Sequence, residues 1–377
     1  MDLFGEEPEA TGPIETEDFT IPDDLDDAGG FKHPREMDFC LGHEAVEKRL
    51  IELFESGRMP HGLIFTGQKG IGKATMAYRL ARYLLKDHGD PNQDALFGEP
   101  AAQSTFQISP DDTTFRRVAS GGHPDFMVVE REYDAAKNRY KDNVPVDAIR
   151  KVPGFLRMTA SDGGWRVVII DDADTMNRNA QNALLKVLEE PPKRTVLILV
   201  AHRMGALIPT IRSRAQVIHF QPLQETHLQQ LIETHTPGLS AQDTQTLKHL
   251  CEGSIGRAAE YLEQGGLETL AQILDLMQYY PHWQWEKIHP LADNLARPGA
   301  DQACKTFAGL MCWLFARLCV VKARGLVPEH LQSFVGNSSL EQLLKICENL
   351  HSHFDRVEGA NLDKRQGILG AFSIIAA

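Results

Sequence analysis

A glycine-rich turn between an apolar strand and an amphipathic helix is the feature that most constrains the fold of this 377-residue chain. The segment reads GLIFTGQKGIGKATMAYRLARYLL, and its Gly67, Gly72 and Lys73 fit the phosphate-loop pattern G-x-x-x-x-G-K followed by Ser or Thr. We predict a strand over 63–65 and a helix over Lys73–Leu85, the order that a phosphate loop requires. Backbone N–H groups in such a turn and at the helix N-terminus face a bound anion.

One position of the loop departs from the pattern. Ala74 stands where a hydroxyl would ligate magnesium, and Thr75 lies one residue, or about 100 degrees, further round the helix. The backbone around Gly70 is retained, as is the Lys73 ammonium that would reach the β- and γ-phosphates. The loop is therefore expected to keep the capacity to bind ATP or ADP with magnesium, but not to support efficient hydrolysis.

Two aspartates follow an apolar run about 100 residues further on. Residues 167–170 read VVII and predict a central parallel strand. Asp171, at the end of that strand, has the position of a Walker B carboxylate that holds magnesium through water. Asp172 stands where a glutamate usually orients the attacking water, and its side chain is one methylene shorter. Because a displacement of about 1 Å costs about a hundredfold in rate, the pair favours nucleotide binding over efficient hydrolysis.

Strand and helix patterns alternate up to about residue 220 and predict an α/β P-loop domain, with a parallel sheet covered by helices on both faces. Segment 87–122 is polar and irregular and indicates a long surface excursion. From about residue 223 the pattern is helical. We therefore divide the chain into the α/β domain at 37–221, a small helical lid at 222–265 and an all-α domain at 266–377.

The net charge and the composition limit the partners and the cellular location that can be expected. The net charge is −13, but residues 1–30 hold eleven acidic side chains and no basic ones, so the remainder is at about −2. We predict that residues 1–30 form a disordered acidic tail and that the folded part can still contact DNA locally. No apolar run approaches the roughly 20 residues that span a bilayer, and no signal sequence is visible. A cytoplasmic location without a membrane partner is expected.

The six cysteines are scattered along the chain, and none forms a C-x-x-C pair. None lies between Cys40 and Cys251. This spacing argues against a zinc site or a disulfide framework and favours free thiols.

Four segments, in chain order, resemble one family: PHGLIFTGQKGIGKAT, VPVDAIR, VVIIDDADTMNRNAQNALLKVLEEPP and IPTIRSRAQ. Together they are similar to the AAA+ clamp-loader subunits of bacterial DNA polymerase III, and among them to the delta-prime group. The part NALLKVLEEPP is shared with the gamma/tau ATPase subunits of the same assembly. The resemblance covers about 37–257, whereas the rest resembles the family's collar domain only by its helical character and by NLDKRQGIL at 361–369.

The resemblance implies roles for three arginines, although an ordinary surface arginine predicts the same sequence in each case. The family motif SRC matches Ser213, Arg214 and Ala215, so Arg214 would be an arginine finger given in trans to a neighbouring subunit. Arg257 would be the sensor-2 arginine that approaches a bound phosphate from the lid. Arg178, at the start of the helix after the Walker B strand, would touch a DNA phosphate.

Other family features are altered. The sensor-1 position falls at Ala201 or His202, where active subunits usually carry a hydroxyl. Many relatives carry a four-cysteine zinc module before the HPD motif, here His123 to Asp125, and this chain lacks those cysteines, so no zinc is expected. The N-terminal MDLF resembles short apolar peptides that dock on sliding clamps. Glu189 and Glu190 end their helix at the negative pole of its dipole, which hints at a basic partner surface.

The resemblance implies a motor fold retained as a stator. Such a subunit would complete a ring with gamma/tau and delta subunits, present Arg214 to an active ATPase, and help to open a sliding clamp at primer–template DNA. The alternatives are an autonomous gamma/tau-like AAA+ ATPase and a nucleotide-gated regulator or scaffold without a clamp-loader role. A small-molecule P-loop kinase is less well supported, because the helical half adds no acceptor pocket.

Overall fold

The computed structural model describes residues 30–86, 105–134, 139–161, 164–280, 282–325, 338–360 and 362–376. Residues 1–29 of the predicted acidic tail, with the MDLF peptide, and the first part of the predicted excursion, 87–104, lie outside these described residues.

A five-stranded parallel sheet forms the centre of the N-terminal half. Its strand order is β2-β5-β6-β1-β7, and a separate antiparallel hairpin pairs β3 with β4. The strands are β1 Gly62–Thr66, β2 Phe126–Val129, β3 Tyr133–Asp134, β4 Arg139–Tyr140, β5 Arg166–Ile170, β6 Thr195–Ala201 and β7 Gln216–His219. Every residue of β1, β5 and β6 is buried, as expected for parallel strands covered on both faces.

Helices cover both faces of this sheet. Alternate strand residues divide between two hydrophobic clusters, one closed by α1 and α2 and the other by α4 and α5. The helices of this half are α1 Glu44–Glu55, α2 Lys73–Leu85, α3 Thr113–Ala119, α4 Val146–Arg157, α5 Arg178–Glu189 and α6 Pro209–Arg212. The predicted α/β architecture is therefore confirmed.

The C-terminal half is helical throughout its described residues. Its helices are α7 Glu225–His235, α8 Ala241–Cys251, α9 Ile255–Glu263, α10 Gly266–Met277, α11 Trp285–Leu295, α12 Asp301–Arg324, α13 Leu340–Gly359 and α14 Lys364–Ala376. One continuous hydrophobic cluster runs from Leu223 to Ile375, so the segments predicted as lid and all-α domain share a core.

Helix α12 corrects the expectation about apolar runs. It is long and apolar enough to cross a membrane by length and composition, and half of its most apolar window is buried inside the protein. Phe307, Leu310 and Phe315 of this helix lie in the core shared with α10 and α13. A buried core helix of a soluble protein has this composition, so the packing explains the run without a bilayer.

Two further elements were not predicted. Helix α3 lies within the segment interpreted as irregular, and the Asp112 side chain caps it by accepting from Thr114 N at 2.8 Å. The β3–β4 hairpin lies between β2 and α4 and has strands of only two residues each. Elements this short carry too few residues for a hydrophobic period to be visible.

Residues 30–41, here called the N-terminal strap, tie the α/β half to the lid. Phe31 lies against His235 at the end of α7, with ring centroids 4.9 Å apart. Met37 O accepts from the Arg82 guanidinium of α2 at 2.6 Å. Within the strap, His33 Nδ1 accepts from Arg35 Nε at 3.0 Å. The strap therefore bridges α2 and α7.

Candidate functional site

The carboxyl ends of four strands meet at one edge of the sheet. The register pairs Thr66 with Ala201, Ile170 with Leu199, and Val129 with Ile170. Residues one or two positions after these strands are therefore brought together, as is usual at ligand sites of parallel sheets. They are Gly67 after β1, Arg131 after β2, Asp171 and Asp172 after β5, and His202 after β6.

The phosphate loop has the backbone that its sequence predicts. Gly70 and Gly72 adopt φ of 76° and 103°, and α2 begins at Lys73. These left-handed conformations favour glycine. Lys73 is 3% exposed, and its Nζ donates to Gly67 O at 2.8 Å and to Gln68 O at 2.5 Å. Burial lowers the pKa of Lys73 to about 8, against the opposing effect of the nearby Asp171 carboxylate.

The lid contacts this loop directly. Ser254 Oγ, at the N-cap of α9, donates to Lys69 O at 2.8 Å, and Gly256 N donates to Gly70 O at 2.9 Å. A Cβ atom on Gly256 would lie 2.7 Å from Gly70 Cα, closer than real Cβ contacts. An exposed ion pair at 2.5 Å joins Lys69 to Glu260. The two glycines thus permit a backbone-to-backbone approach of lid and loop.

The two aspartates after β5 have opposite electrostatic environments. Burial, reinforced by the charge of Asp172, raises the pKa of Asp171 to about 6. Asp172 has a left-handed backbone with φ of 49°, and its carboxylate lies 2.5 Å from Arg131 Nε and 2.7 Å from His202 Nε2. Although burial alone would raise it, the hydrogen bond from His202 and the charge of Arg131 lower the pKa of Asp172 to about 2. The carboxylate that stands where a glutamate usually orients the attacking water is therefore already engaged by two side chains.

These groups fit a phosphate better than a magnesium ion. The loop N–H groups, the N-terminus of α2 and Lys73 form an anion cradle. A magnesium site needs oxygen ligands, whereas Ala74 has none and Asp172 is held by Arg131 and His202. Among the described residues, no group of three His, Cys, Asp or Glu side chains is arranged to hold a metal ion. The expectation of no zinc stays a prediction, and the six cysteines are free.

Arg214 lies just after α6, and its side chain is 35% exposed. Its guanidinium lies 2.9 Å from Glu189 Oε1 and donates to Thr210 O at 3.1 Å. Glu189, at the end of α5, therefore has an intrachain cationic partner that offsets its unfavourable place at the helix terminus.

The other two predicted arginines lie at helix starts. Arg257, in the first turn of α9, contacts Glu252 at 2.9 Å and the Tyr261 hydroxyl at 3.3 Å. Its side chain contacts the lid itself and not the loop. Arg178 is exposed at the first position of α5, and no ion pair joins it to another described residue. The predicted roles of Arg178, Arg214 and Arg257 remain predictions.

Sequence reasoning missed the partners of Asp172. Arg131 is separated from it by 41 positions, and His202 was noted only for lacking a hydroxyl. Arg131 and Asp172 each stand two positions after the end of a strand, and the register of β2 and β5 pairs those ends, Val129 and Ile170, so opposite charges at this spacing are the signal that could have linked them.

The fold and the site define an α/β protein with a phosphate loop and a helical lid docked on that loop. A family model described as "DNA polymerase III, delta subunit" matches residues 42–224. Over this region the chain is similar to that family, and this match, together with the delta' relatives below, confirms the resemblance to delta-prime clamp-loader subunits seen in the sequence.

Relatives support this assignment. The chain is 35% identical over 216 residues to the DNA polymerase III subunit delta' of Pseudomonas aeruginosa, which covers 57% of the chain and 60% of that relative. It is 31% identical over 231 residues to the corresponding subunit of Escherichia coli, which covers 60% of the chain and 63% of that relative. It is 28% identical over 234 residues to replication factor C small subunit 2 of Pyrobaculum islandicum, covering 61% and 60%. The chain thus spans less than two thirds of the length of these relatives.

A solved structure is also similar. A DNA polymerase III gamma subunit-related protein from Thermotoga maritima matches with a TM-score of 0.39 and 20% identity, covering 89% of this chain and 98% of that one. At this TM-score the likeness carries no argument about function.

Proposed function

We propose that the chain is a non-motor subunit of a replicative sliding-clamp loader, acting in the cytoplasm as a stator beside active ATPase subunits. The observation that carries this proposal is the state of Asp172. Arg131 and His202 hold its carboxylate, and Ala74 supplies no metal ligand, so the chain's own site lacks the groups that hydrolysis needs. The partners proposed from the family resemblance are gamma/tau and delta subunits, the sliding clamp and primer–template DNA.

Arg214 is proposed to act in trans on a neighbouring subunit's nucleotide. Its side chain is partly exposed after α6, and Glu189 and Thr210 O orient it at 2.9 Å and 3.1 Å. A cation held by such surface contacts can exchange them for a phosphate, because an exposed ion pair contributes only about 0–1 kcal/mol. An arginine finger is worth about 10³ to 10⁵ in rate in other phosphoryl-transfer systems.

The phosphate loop is proposed to retain nucleotide binding. Gly67, Gly70, Gly72 and Lys73 would hold the phosphates, and bound ATP or ADP would supply oxygen acceptors for the loop N–H groups. Lys73 would then exchange its contacts with Gly67 O and Gln68 O for a phosphate. Arg257 would have to leave Glu252 and Tyr261 to reach the same ligand.

The test is clamp- and DNA-stimulated ATP hydrolysis by a reconstituted loader in which only this subunit is changed. We expect Arg214→Ala to collapse turnover at the neighbouring site, and Lys73→Ala to leave it intact. Arg212→Ala is the matched control, because Arg212 is an exposed arginine two positions away. Full turnover with Arg214→Ala would refute the stator role.

The alternative is an autonomous gamma/tau-like AAA+ ATPase. The well-formed loop favours it, since Gly70 and Gly72 have the conformations of a working cradle. It requires a basal ATPase activity of the isolated chain that Lys73→Ala abolishes. A regulator or scaffold without a clamp-loader role requires instead that the chain fails to co-purify with gamma/tau, delta and clamp.

A further inference from the structure

The β3–β4 hairpin presents an aromatic side chain at the carboxyl edge of the sheet. Tyr140 is 48% exposed, and it pairs across the hairpin with Tyr133, whose ring meets it edge-on with centroids 5.3 Å apart. Among the described aromatic side chains, only Trp285 is comparably exposed, at 39%. A large exposed aromatic ring held by a second ring is a preformed contact surface.

Charged side chains of both signs lie near this ring; burial and the nearby Glu130 carboxylate raise the pKa of Tyr140, and cations lie beside it as well. The Arg131 guanidinium lies over the Tyr140 ring at 5.8 Å from its centroid. Lys141 follows Tyr140 directly, is 53% exposed, and pairs at 2.5 Å with the similarly accessible Glu132. Such a surface pair is weak enough to open when a stronger anion arrives.

Two helices begin at the same carboxyl edge of the sheet from which the hairpin extends. Val144 N, in the segment between the hairpin and α4, donates to Thr175 Oγ1 at 3.3 Å in the segment before α5. The positive ends of the α4 and α5 dipoles therefore lie at the same edge as the hairpin. Arg178, exposed at the start of α5, adds a further cation to this edge.

We propose that Tyr140 is a stacking platform for a base of single-stranded DNA, while Lys141 and Arg178 attract the adjoining phosphates. Aromatic side chains stack on any base, and flanking cations retain the backbone, which is how proteins bind single strands without reading their sequence. The choice of DNA as the occupant rests on the proposed function, whereas the geometry of the platform does not.

The test measures fluorescence anisotropy of a labelled oligothymidylate of about 15 nucleotides with the full-length chain, without nucleotide. We expect Tyr140→Ala to weaken binding about 5- to 100-fold. Tyr140→Phe, which keeps the ring, is expected to bind within about twofold of the wild type. Trp285→Ala is the control for loss of an exposed aromatic elsewhere and is expected to change nothing. Tyr140→Thr keeps strand propensity and is expected to match the alanine variant, which excludes a folding defect.

Two further readouts identify stacking. The slope of affinity against salt is expected to be unchanged by Tyr140→Ala, because no charge is lost. An oligonucleotide with abasic sites is expected to bind wild type and Tyr140→Ala alike, since it offers no base to stack.

The proposal is overturned if the wild-type chain does not bind the oligonucleotide at low salt, if Tyr140→Ala binds like the wild type, or if Tyr140→Phe loses as much as alanine. It is also overturned if Tyr140→Ala instead releases the chain from other loader subunits while DNA binding stays intact, which would make the hairpin a protein contact. Because the assay uses neither ATP nor partner subunits, its outcome is independent of the Arg214→Ala test.

Discussion

Gly256→Ala tests whether the lid is held on the phosphate loop by close backbone contact. The new Cβ would lie 2.7 Å from Gly70 Cα, a distance that real Cβ atoms do not tolerate, so the backbones must separate. Gly256 is the better target of the two glycines, because Gly70 has φ of 76° and would also be strained by any side chain.

The magnitude follows from the contacts that separation breaks. Gly256 N to Gly70 O and Ser254 Oγ to Lys69 O are hydrogen bonds of 2.9 and 2.8 Å, each worth about 0.5–1.5 kcal/mol net. Their loss would shift the ratio of docked to undocked lid by about 1–3 kcal/mol, or about 5- to 150-fold. Alanine simultaneously raises the helix propensity of α9 by up to about 1 kcal/mol. The variant should therefore weaken docking without weakening the helix.

Native-state amide hydrogen exchange read by mass spectrometry measures both effects. We expect exchange of the backbone amide at position 256, which donates to Gly70 O, to accelerate by the docking factor while amides further along α9 stay protected. Gly154→Ala is the control, since Gly154 lies in α4, where an added methyl group would meet no atom within 4 Å, and should show only a helix effect. An unchanged exchange rate of the amide at position 256 in Gly256→Ala would refute the role assigned to the contact.

Two predictions concern the α/β half and its strap. Arg79→Met should lower the free energy of unfolding in urea by about 3–5 kcal/mol, because it leaves the buried Glu47 carboxylate, 2.6 Å from Arg79 in the wild type, without its cation. The control is Arg150→Met, which removes an exposed ion pair and should cost less than about 0.5 kcal/mol. Equal losses in the two variants would contradict the argument. Burial, with the charge of Arg35, lowers the pKa of His33 to about 4. The unfolded chain therefore binds a proton on His33 more tightly than the folded chain does. The free energy of unfolding of the wild type should fall by up to about 3 kcal/mol as the pH drops from about 6.5 to about 4. His33→Gln should flatten that part of the stability profile, and an unchanged slope would show that another group titrates.

Much of the α/β half follows from local sequence. The helix Lys73–Leu85 has the bounds that the pattern predicts, because a glycine turn fixes its start. The strand predicted over 167–170 forms Arg166–Ile170, because an unbroken apolar run defines it. The hairpin and α3 were missed because two-residue strands and a two-turn helix are stabilised by their surroundings more than by their own pattern.

The candidate site was likewise predicted from the sequence only in part. The phosphate loop and the aspartate pair are each a short continuous stretch of sequence, so each was identified from the sequence alone. The pairing of Asp172 with Arg131 and His202 depends on which strands are neighbours in the sheet, and the contact of Gly256 with Gly70 depends on how the lid docks. Neither relation is encoded by spacing along the chain, because each is decided by tertiary packing.

Arg131 has a consequence that reaches beyond its role as a counter-ion. Its guanidinium contacts both the Asp172 carboxylate and the Tyr140 ring, so one side chain belongs to the phosphate-facing edge and to the hairpin at once. A ligand that draws Arg131 toward either end changes the free energy of the other. Linkage between two binding events is reciprocal. If a ligand at the hairpin draws Arg131 away from Asp172, then any event that frees Asp172 from Arg131 raises the affinity for that ligand by the same factor. If both ends bind ligands as proposed, this single arginine would couple them directly.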